Sequence, residues 1–99
     1  MKVAVIGSGI SGLTAAWMLQ TQHDVSLFEA DVRLGGHTHT VKVAAGAQGE
    51  ELPVDTGFIV FNRRTYPIFC RLLEKLKVDS QNSDMGFSVQ VQANKVAYQ

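Results

Sequence analysis

A glycine-rich turn near the N-terminus, residues 7–12, constrains this chain more than any other feature, because glycines occupy its first, third and sixth positions. The apolar run at residues 3–6 precedes it and predicts a strand buried on both faces of a parallel sheet. An apolar segment from about residue 11 to residue 22 follows and predicts a largely buried helix, with Trp17 in the core. Residues 25–29 predict a second strand, so the opening of the chain predicts a βαβ unit.

Each glycine has a separate physical purpose in a turn that binds a dinucleotide. Gly7 permits the tight turn, Gly9 lets the backbone approach a pyrophosphate, and Gly12 lets the helix pack closely on the strand. The pyrophosphate would lie against the free N–H groups at the positive end of the helix. Glu29 lies 22 residues after Gly7, where a carboxylate can accept hydrogen bonds from a ribose. The alternative is a chance glycine-rich turn followed by a surface glutamate.

The segment that begins at Glu29 resembles a family of flavoproteins. Residues 29–36, EADVRLGG, are similar to the E-A-x-x-R-x-G-G extension of the superfamily that includes amine oxidases, phytoene desaturases and protoporphyrinogen oxidase, and residues 3–37 match that pattern almost throughout. The resemblance implies FAD as the cofactor, with Arg33 reaching the ADP ribose or pyrophosphate. Arginine binds phosphate well, and paired glycines allow close backbone approach. The alternative makes Arg33 a solvated loop residue and the glycine pair a simple turn.

A looser resemblance extends further along the chain. Residues 54–57, VDTG, are similar to the family's x-D-x-G stretch, which passes near the flavin. Asp55 and Gly57 are equally compatible with the end of a strand. Residues 55–62 also resemble a bacterial subgroup of predicted NAD/FAD-binding proteins, some of them linked to fatty-acid modification.

The candidate cofactor-binding residues lie in the glycine turn, at the end of the second strand, in the loop after it, and at one later position. They are Gly7, Gly9, Ser11, Gly12, Glu29, Ala30, Arg33, Gly35, Gly36, His37 and Gly57. No catalytic residue is identified. His37 and His39 could supply two metal ligands, but no further cysteine or histidine cluster supports them, so we expect no metal site and a backbone contact from His37 to the cofactor. Cys70 is expected to be a packed thiol rather than a nucleophile, and residues 63–64, two arginines, a solvated loop rather than an anion site.

The remaining pattern predicts a hairpin, a second helix and two terminal strands, at residues 87–91 and 95–98 on either side of residues 93–94. The hairpin pairs residues 40–44 with residues 51–55, and the helix runs from about Pro67 to Lys77. Its apolar stripe consists of Ile68, Phe69, Leu72, Leu73 and Leu76. The predicted fold class is α/β: a Rossmann-like βαβ FAD-binding domain with a β-hairpin and a second helix, forming an incomplete domain. Residues 1–79 would belong to it, and residues 80–99 would start the sheet of a substrate domain.

Composition narrows the function classes. Nine basic and nine acidic residues among 99 give no net charge, so we expect no nucleic-acid partner, and no apolar stretch is long enough for a transmembrane segment. A single cysteine fits a cytoplasmic location. We expect the FAD-binding portion of a flavin-dependent oxidoreductase of the amine oxidase or desaturase type, acting on an unidentified small-molecule substrate. The alternatives are a stand-alone nucleotide-binding or interaction module without catalysis and, third, an NAD-dependent dehydrogenase. Because the resembling proteins are several hundred residues long, we expect a fragment that is inactive alone and self-associates.

Overall fold

The computed structural model describes residues 1–91 and 96–98, and the chain divides into two compact units, Met1–Ile59 (unit 1) and Val60–Gln99 (unit 2). The helices and strands, in chain order, are β1 (Lys2–Ile6), α1 (Ile10–Leu19), β2 (Asp24–Phe28), β3 (Thr40–Ala45), β4 (Glu50–Asp55), α2 (Pro67–Leu76), β5 (Val89–Val91) and β6 (Val96–Tyr98). The α/β class is therefore confirmed. The domain boundary between residues 79 and 80 stays a prediction.

In unit 1, β1 and β2 form a parallel pair, in which Val5 lies opposite Leu27. Parallel neighbours need a crossover connection, and α1 provides it. Val5 faces α1, since its Cγ1 atom lies 3.5 Å from the position that a Cβ on Gly12 would occupy. The side chains of alternate residues along each strand point to opposite faces, so Ile6 and Phe28 lie on the face away from α1.

Three burial predictions for this unit are wrong. β1 alternates between half-buried and exposed residues, with Ile6 79% exposed, and no residue of α1 is fully buried. Within unit 1, α1 is the only described element that packs on the β1–β2 pair, so it covers one face of the pair. Trp17, expected in the core, is 36% exposed for the same reason.

α1 also ends earlier than predicted, at Leu19. The chain uses the next four residues to reverse direction, and the N–H of His23 still donates to the carbonyl of Leu19 at 3.0 Å. The N–H of Asp24 then donates to the carbonyl of Met1 at 3.0 Å, where β2 begins. The helix is shorter because these residues are needed to bring β2 alongside β1.

The hairpin is confirmed to within one residue at its turn. β3 and β4 pair antiparallel from Thr40 opposite Asp55 to Ala45 opposite Glu50. The Thr40 hydroxyl also donates to Asp55 Oδ1 at 2.6 Å, which closes the open end of the hairpin.

In unit 2, α2 starts at Pro67 as predicted and ends at Leu76. Cys70 is 8% exposed, as expected of a packed thiol. The rings of Phe61 and Phe69 pack edge to face, with their centroids 5.2 Å apart. Two residues of the predicted apolar stripe are exposed, Ile68 by 79% and Leu76 by 47%. Lys77, with φ 56°, caps the helix in the left-handed conformation.

Both terminal strands of unit 2 are present, although β5 begins at Val89 and not at residue 87, and the structure pairs β5 and β6 antiparallel. Residues 93–94, between the two predicted strands, and the predicted start of the last strand at Lys95 lie outside the described residues.

Candidate functional site

The glycine turn connects the end of β1 to the start of α1. Gly7 has φ +94°, a conformation that residues with side chains rarely adopt, and its N–H donates to the carbonyl of Phe28 at 2.7 Å. Gly9 has an extended backbone and forms the N-cap, where its carbonyl accepts the first helical hydrogen bond, from Leu13 at 2.9 Å. Among the described residues, no side chain caps this end of α1. The first N–H groups of a helix lack intrahelical partners and attract anions, so the turn ends in an anion-binding position.

Gly9 and Gly12 lack a side chain for different physical reasons. A Cβ on Gly9 would have no heavy atom within 4 Å, so space next to this backbone is open. A Cβ on Gly12 would lie 1.9 Å from the carbonyl oxygen of Gly7, which is a severe clash. Gly12 is therefore needed for the packing of α1 on the turn, whereas the space at Gly9 is available to a ligand.

Glu29 follows directly after β2 and is hydrogen-bonded to the glycine turn. Its Oε2 atom accepts a hydrogen bond from the backbone N–H of Ser8 at 2.8 Å and a short one from the Ser8 hydroxyl. Its Oε1 atom accepts from the N–H of Asp31 at 2.9 Å. The parallel pairing of β1 and β2 brings these segments together, because the carboxyl ends of parallel neighbours meet at one edge.

These hydrogen bonds stabilise the ionised form of Glu29. The Ser8 hydroxyl makes the largest contribution, followed by the N–H groups of Asp31 and Ser8, and together they lower the pKa of Glu29 from 4.5 to about 2. At neutral pH the site therefore combines a carboxylate, which accepts hydrogen bonds from hydroxyl groups, with a helix N-terminus, which attracts anions.

Arg33 organises the loop that follows. Its guanidinium donates to the carbonyls of Leu34 at 3.1 Å, Thr38 at 2.9 Å and Gly36 at 2.5 Å. The sequence predicted a contact between Arg33 and a ribose or pyrophosphate. In the structure the same side chain folds back onto its own loop.

The loop organised by Arg33 packs on the glycine turn. The N–H of Gly35 donates to the carbonyl of Ser8 at 2.9 Å, and a Cβ on Gly36 would lie 3.0 Å from the Cα of Gly9. Both glycines have positive φ, +111° and +60°. Only glycine combines this backbone with such close approach, so the pair is more than a simple surface turn.

Gly57 lies against the other end of this loop. A Cβ at Gly57 would lie 1.9 Å from the carbonyl oxygen of His37, so the residue is needed for close backbone packing. Nearby, the Thr56 hydroxyl donates to the carbonyl of His39 at 2.8 Å. The D-x-G stretch is thus joined to the loop that carries the double glycine.

The structure therefore brings most of the predicted residues together in unit 1, while Ser11 and Ala30 are exposed beside them. The sequence interpretation missed Ser8, which is 0% exposed and bonded to Glu29. Its only sequence signal is a small polar residue between the first two glycines of the turn. The described residues contain no group of three or more potential ligands that could hold a metal ion.

Residues 10–98 match the family described as flavin containing amine oxidoreductase. The chain belongs to this family. The match begins after Gly7, Ser8 and Gly9 and covers the rest of the site. Within the described residues, no helix has both the length and the apolar character that crossing a membrane requires.

Individual members of related families are also similar to this chain. A zeta-carotene desaturase from Synechocystis is 34% identical over 77 residues, which is 77% of this chain and 14% of that protein. A protoporphyrinogen oxidase from Arabidopsis thaliana is 49% identical over 41 residues, 40% of this chain and 8% of that protein. A 4,4'-diapophytoene desaturase from Staphylococcus aureus is 44% identical over 43 residues, 42% of this chain and 9% of that protein. The chain thus matches only a small part of the length of each of these flavin-family relatives.

Proposed function

We propose that unit 1 of this flavin-family chain binds the ADP half of FAD, as the nucleotide-binding part of an oxidoreductase of the amine oxidase or desaturase type. The main observation in support of this proposal is the ionised Glu29, which is hydrogen-bonded to a glycine turn at the uncapped start of α1. This arrangement has the two groups that an ADP moiety requires, an acceptor for ribose hydroxyls and donors for a pyrophosphate.

The residues of the site fit this cofactor. The open space at Gly9 leaves room for a pyrophosphate, whose charge would be stabilised by the N–H groups at the start of α1. Glu29 would bind the ribose, and its negative charge would disfavour a 2′-phosphate in that position. We propose a Rossmann-type βαβ unit for β1, α1 and β2, because a dinucleotide binds at this edge of such a sheet.

The loop at residues 33–38 would form a second wall of the site. Arg33 holds the loop by its carbonyls, and the loop in turn contacts the turn through Gly35 and Gly36. In this proposal Arg33 shapes the site, and its positive charge also favours the phosphates. His37 and Gly57 would place backbone, rather than side chains, beside the cofactor.

When bound, FAD supplies the redox chemistry through its isoalloxazine ring, and the protein orients it and tunes its environment. The relatives named above include desaturases and an oxidase. We accordingly propose that the protein containing this chain oxidises or desaturates a small organic substrate.

The test is a calorimetric titration of the full chain and its Gly9→Val variant with FAD and with ADP. The backbone of Gly9, with φ −67° and ψ 179°, accepts a valine, so the variant should fold with unchanged circular dichroism. The valine side chain would fill the proposed phosphate position, and binding of both ligands should fall at least about tenfold. Glu29→Ala should weaken the binding of FAD and of ADP by roughly ten- to a hundredfold, since both ligands contain the ribose.

Gly86→Val is the matched control, because a Cβ on Gly86 also has no heavy atom within 4 Å. This variant should bind FAD and ADP as the unaltered chain does. Equal binding by the Gly9→Val and Gly86→Val variants would contradict the proposed phosphate site.

A further inference from the structure

Ser8 is a buried polar residue at the centre of the glycine turn, with 0% of its surface exposed. Burying a hydroxyl is unfavourable unless it is hydrogen-bonded. This hydroxyl donates to Oε2 of Glu29, a residue 21 positions later in the chain. The bond is charge-assisted, and such bonds are stronger than those between neutral groups.

Ser8 also joins the other two segments of the site. Its carbonyl accepts the N–H of Gly35 at 2.9 Å, and its Oγ atom lies 3.4 Å from the same nitrogen. Its backbone N–H donates to Oε2 of Glu29 at 2.8 Å. The residue therefore connects the glycine turn, the end of β2 and the loop at residues 33–38.

The hydrogen bonds that Ser8 donates involve one of the two carboxylate oxygens of Glu29 and not the other. Oε2 accepts both donors of Ser8, whereas Oε1 accepts the N–H of Asp31, and the N–H of Ala30 makes the smallest contribution to stabilising the carboxylate charge. A carboxylate has about four acceptor positions, two on each oxygen. Oε1 can therefore accept about one more hydrogen bond, whereas both acceptor positions of Oε2 are occupied.

We propose that Ser8 is a positioning residue, whose hydroxyl holds Oε2 of Glu29 so that Oε1 is left to accept one ribose hydroxyl of the bound nucleotide. This inference rests on the proposed function of unit 1 and adds to it how the carboxylate is oriented. Without the Ser8 hydroxyl, Oε2 keeps one donor, and the carboxylate can rotate about its last side-chain bond.

The first measurement needs no ligand. The side-chain carboxyl of Glu29 is titrated by carbon NMR in the full chain, in Ser8→Ala and in Ser26→Ala, a control on the exposed face of β2. The pKa of Glu29 should be about 2 in the unaltered chain and in the control. It should rise toward 4.5 in Ser8→Ala without reaching it, because the N–H donors of Ser8 and Asp31 remain. An unchanged value in Ser8→Ala would overturn the inference.

The second measurement distinguishes positioning from a general structural role. The same proteins are titrated with ADP and with 2′,3′-dideoxy-ADP, which lacks both ribose hydroxyls. Ser8→Ala should weaken the binding of ADP about three- to tenfold, the range for one hydrogen bond, and leave the affinity for the dideoxy compound unchanged. A damaged turn would weaken the binding of both ligands equally, and that result would overturn the inference.

A double variant tests whether Ser8 acts through Glu29. In the Glu29→Ala background, Ser8→Ala should cause no further loss of ADP affinity, because residues that act as a unit are not additive. If circular dichroism indicates that Ser8→Ala does not fold, Ser8→Cys replaces it, since a thiol is a weaker donor, and should give a smaller rise in the Glu29 pKa.

The outcomes separate this inference from the proposed function. Absence of ADP binding by the unaltered chain would overturn the proposed function and the inference with it. ADP binding that Gly9→Val abolishes, but that Ser8→Ala leaves unchanged, would overturn the inference alone.

Discussion

At the scale of single residues, hydrogen bonds lower the pKa of Glu29. The Ser8 hydroxyl first, and then the N–H groups of Asp31 and Ser8, lower its pKa from 4.5 to about 2. A carboxyl with a lowered pKa in the folded state stabilises the fold above its unfolded pKa, and this stabilisation is lost as the pH falls through the folded value. The contribution of Glu29 should therefore be complete above pH 4.5 and disappear by about pH 2.

Glu29→Gln tests this dependence, because glutamine keeps the shape and cannot ionise. The variant should be less stable than the unaltered chain at about pH 7, and the difference should shrink below about pH 4.5. Solvent near the side chain keeps the effect modest. Urea denaturation at several pH values measures it, and a difference that does not vary with pH would contradict the role of the charge.

Arg33 gives a second prediction at this scale. One guanidinium serves three carbonyls, those of Leu34, Gly36 and Thr38, and a lysine ammonium cannot reproduce that planar arrangement of donors. Arg33→Lys should loosen the loop, and the amides of Gly35 and Thr38 should exchange with deuterium about three- to tenfold faster, as expected for one lost hydrogen bond. Arg71→Lys, on the exposed side of α2, is the control and should leave these rates unchanged.

At the scale of elements, the packing of α1 on the turn depends on Gly12. In the interior of a helix, alanine is normally more favourable than glycine by roughly 1 kcal/mol. Here an added Cβ would lie 1.9 Å from the carbonyl oxygen of Gly7, and overpacking of this kind costs about 1–3 kcal/mol. We therefore expect Gly12→Ala to lower the thermal midpoint of unfolding by several degrees, with the clash exceeding the gain in helix propensity.

Gly86→Ala is the control for this prediction, because a Cβ there also meets no heavy atom within 4 Å among the described residues. Its thermal midpoint should remain close to that of the unaltered chain, as measured by circular dichroism. A Gly12→Ala variant as stable as Gly86→Ala would mean that α1 can move away from the turn at little cost.

At the scale of the whole molecule, one face of the β1–β2 pair offers apolar surface to solvent. Ile6 is 79% exposed and Phe28, its register partner, is 55% exposed. Contiguous exposed apolar residues favour association. We expect the chain to form dimers or larger species, and to retain FAD weakly through purification, since the proposed site in unit 1 would bind mainly its ADP half.

Light scattering and a visible spectrum of the purified chain test this prediction. Phe28→Ser should reduce the average mass at a given concentration more than Phe87→Ser, a control at a residue that is 80% exposed in unit 2. A monomeric, yellow protein that reduces its flavin with an added substrate would contradict both parts of the expectation.

The elements of this protein could be predicted from local sequence because their causes are local. The apolar runs, the glycine spacing and Pro67 placed both helices and all the described strands to within a few residues. The resemblance at residues 29–36 likewise led to the flavin family, which the match over residues 10–98 bears out. Burial was predicted less well, because it depends on which elements cover each face, as Ile6 demonstrates.

The contacts within the site were decided by tertiary structure alone. Ser8 and Glu29 are 21 residues apart, and their hydrogen bond exists because β1 and β2 pair in parallel register. The clash that excludes a side chain at Gly57 arises from the backbone of His37, 20 residues earlier. A sequence pattern identifies residues that suit a chemistry, whereas the distances between segments determine which donor meets which acceptor.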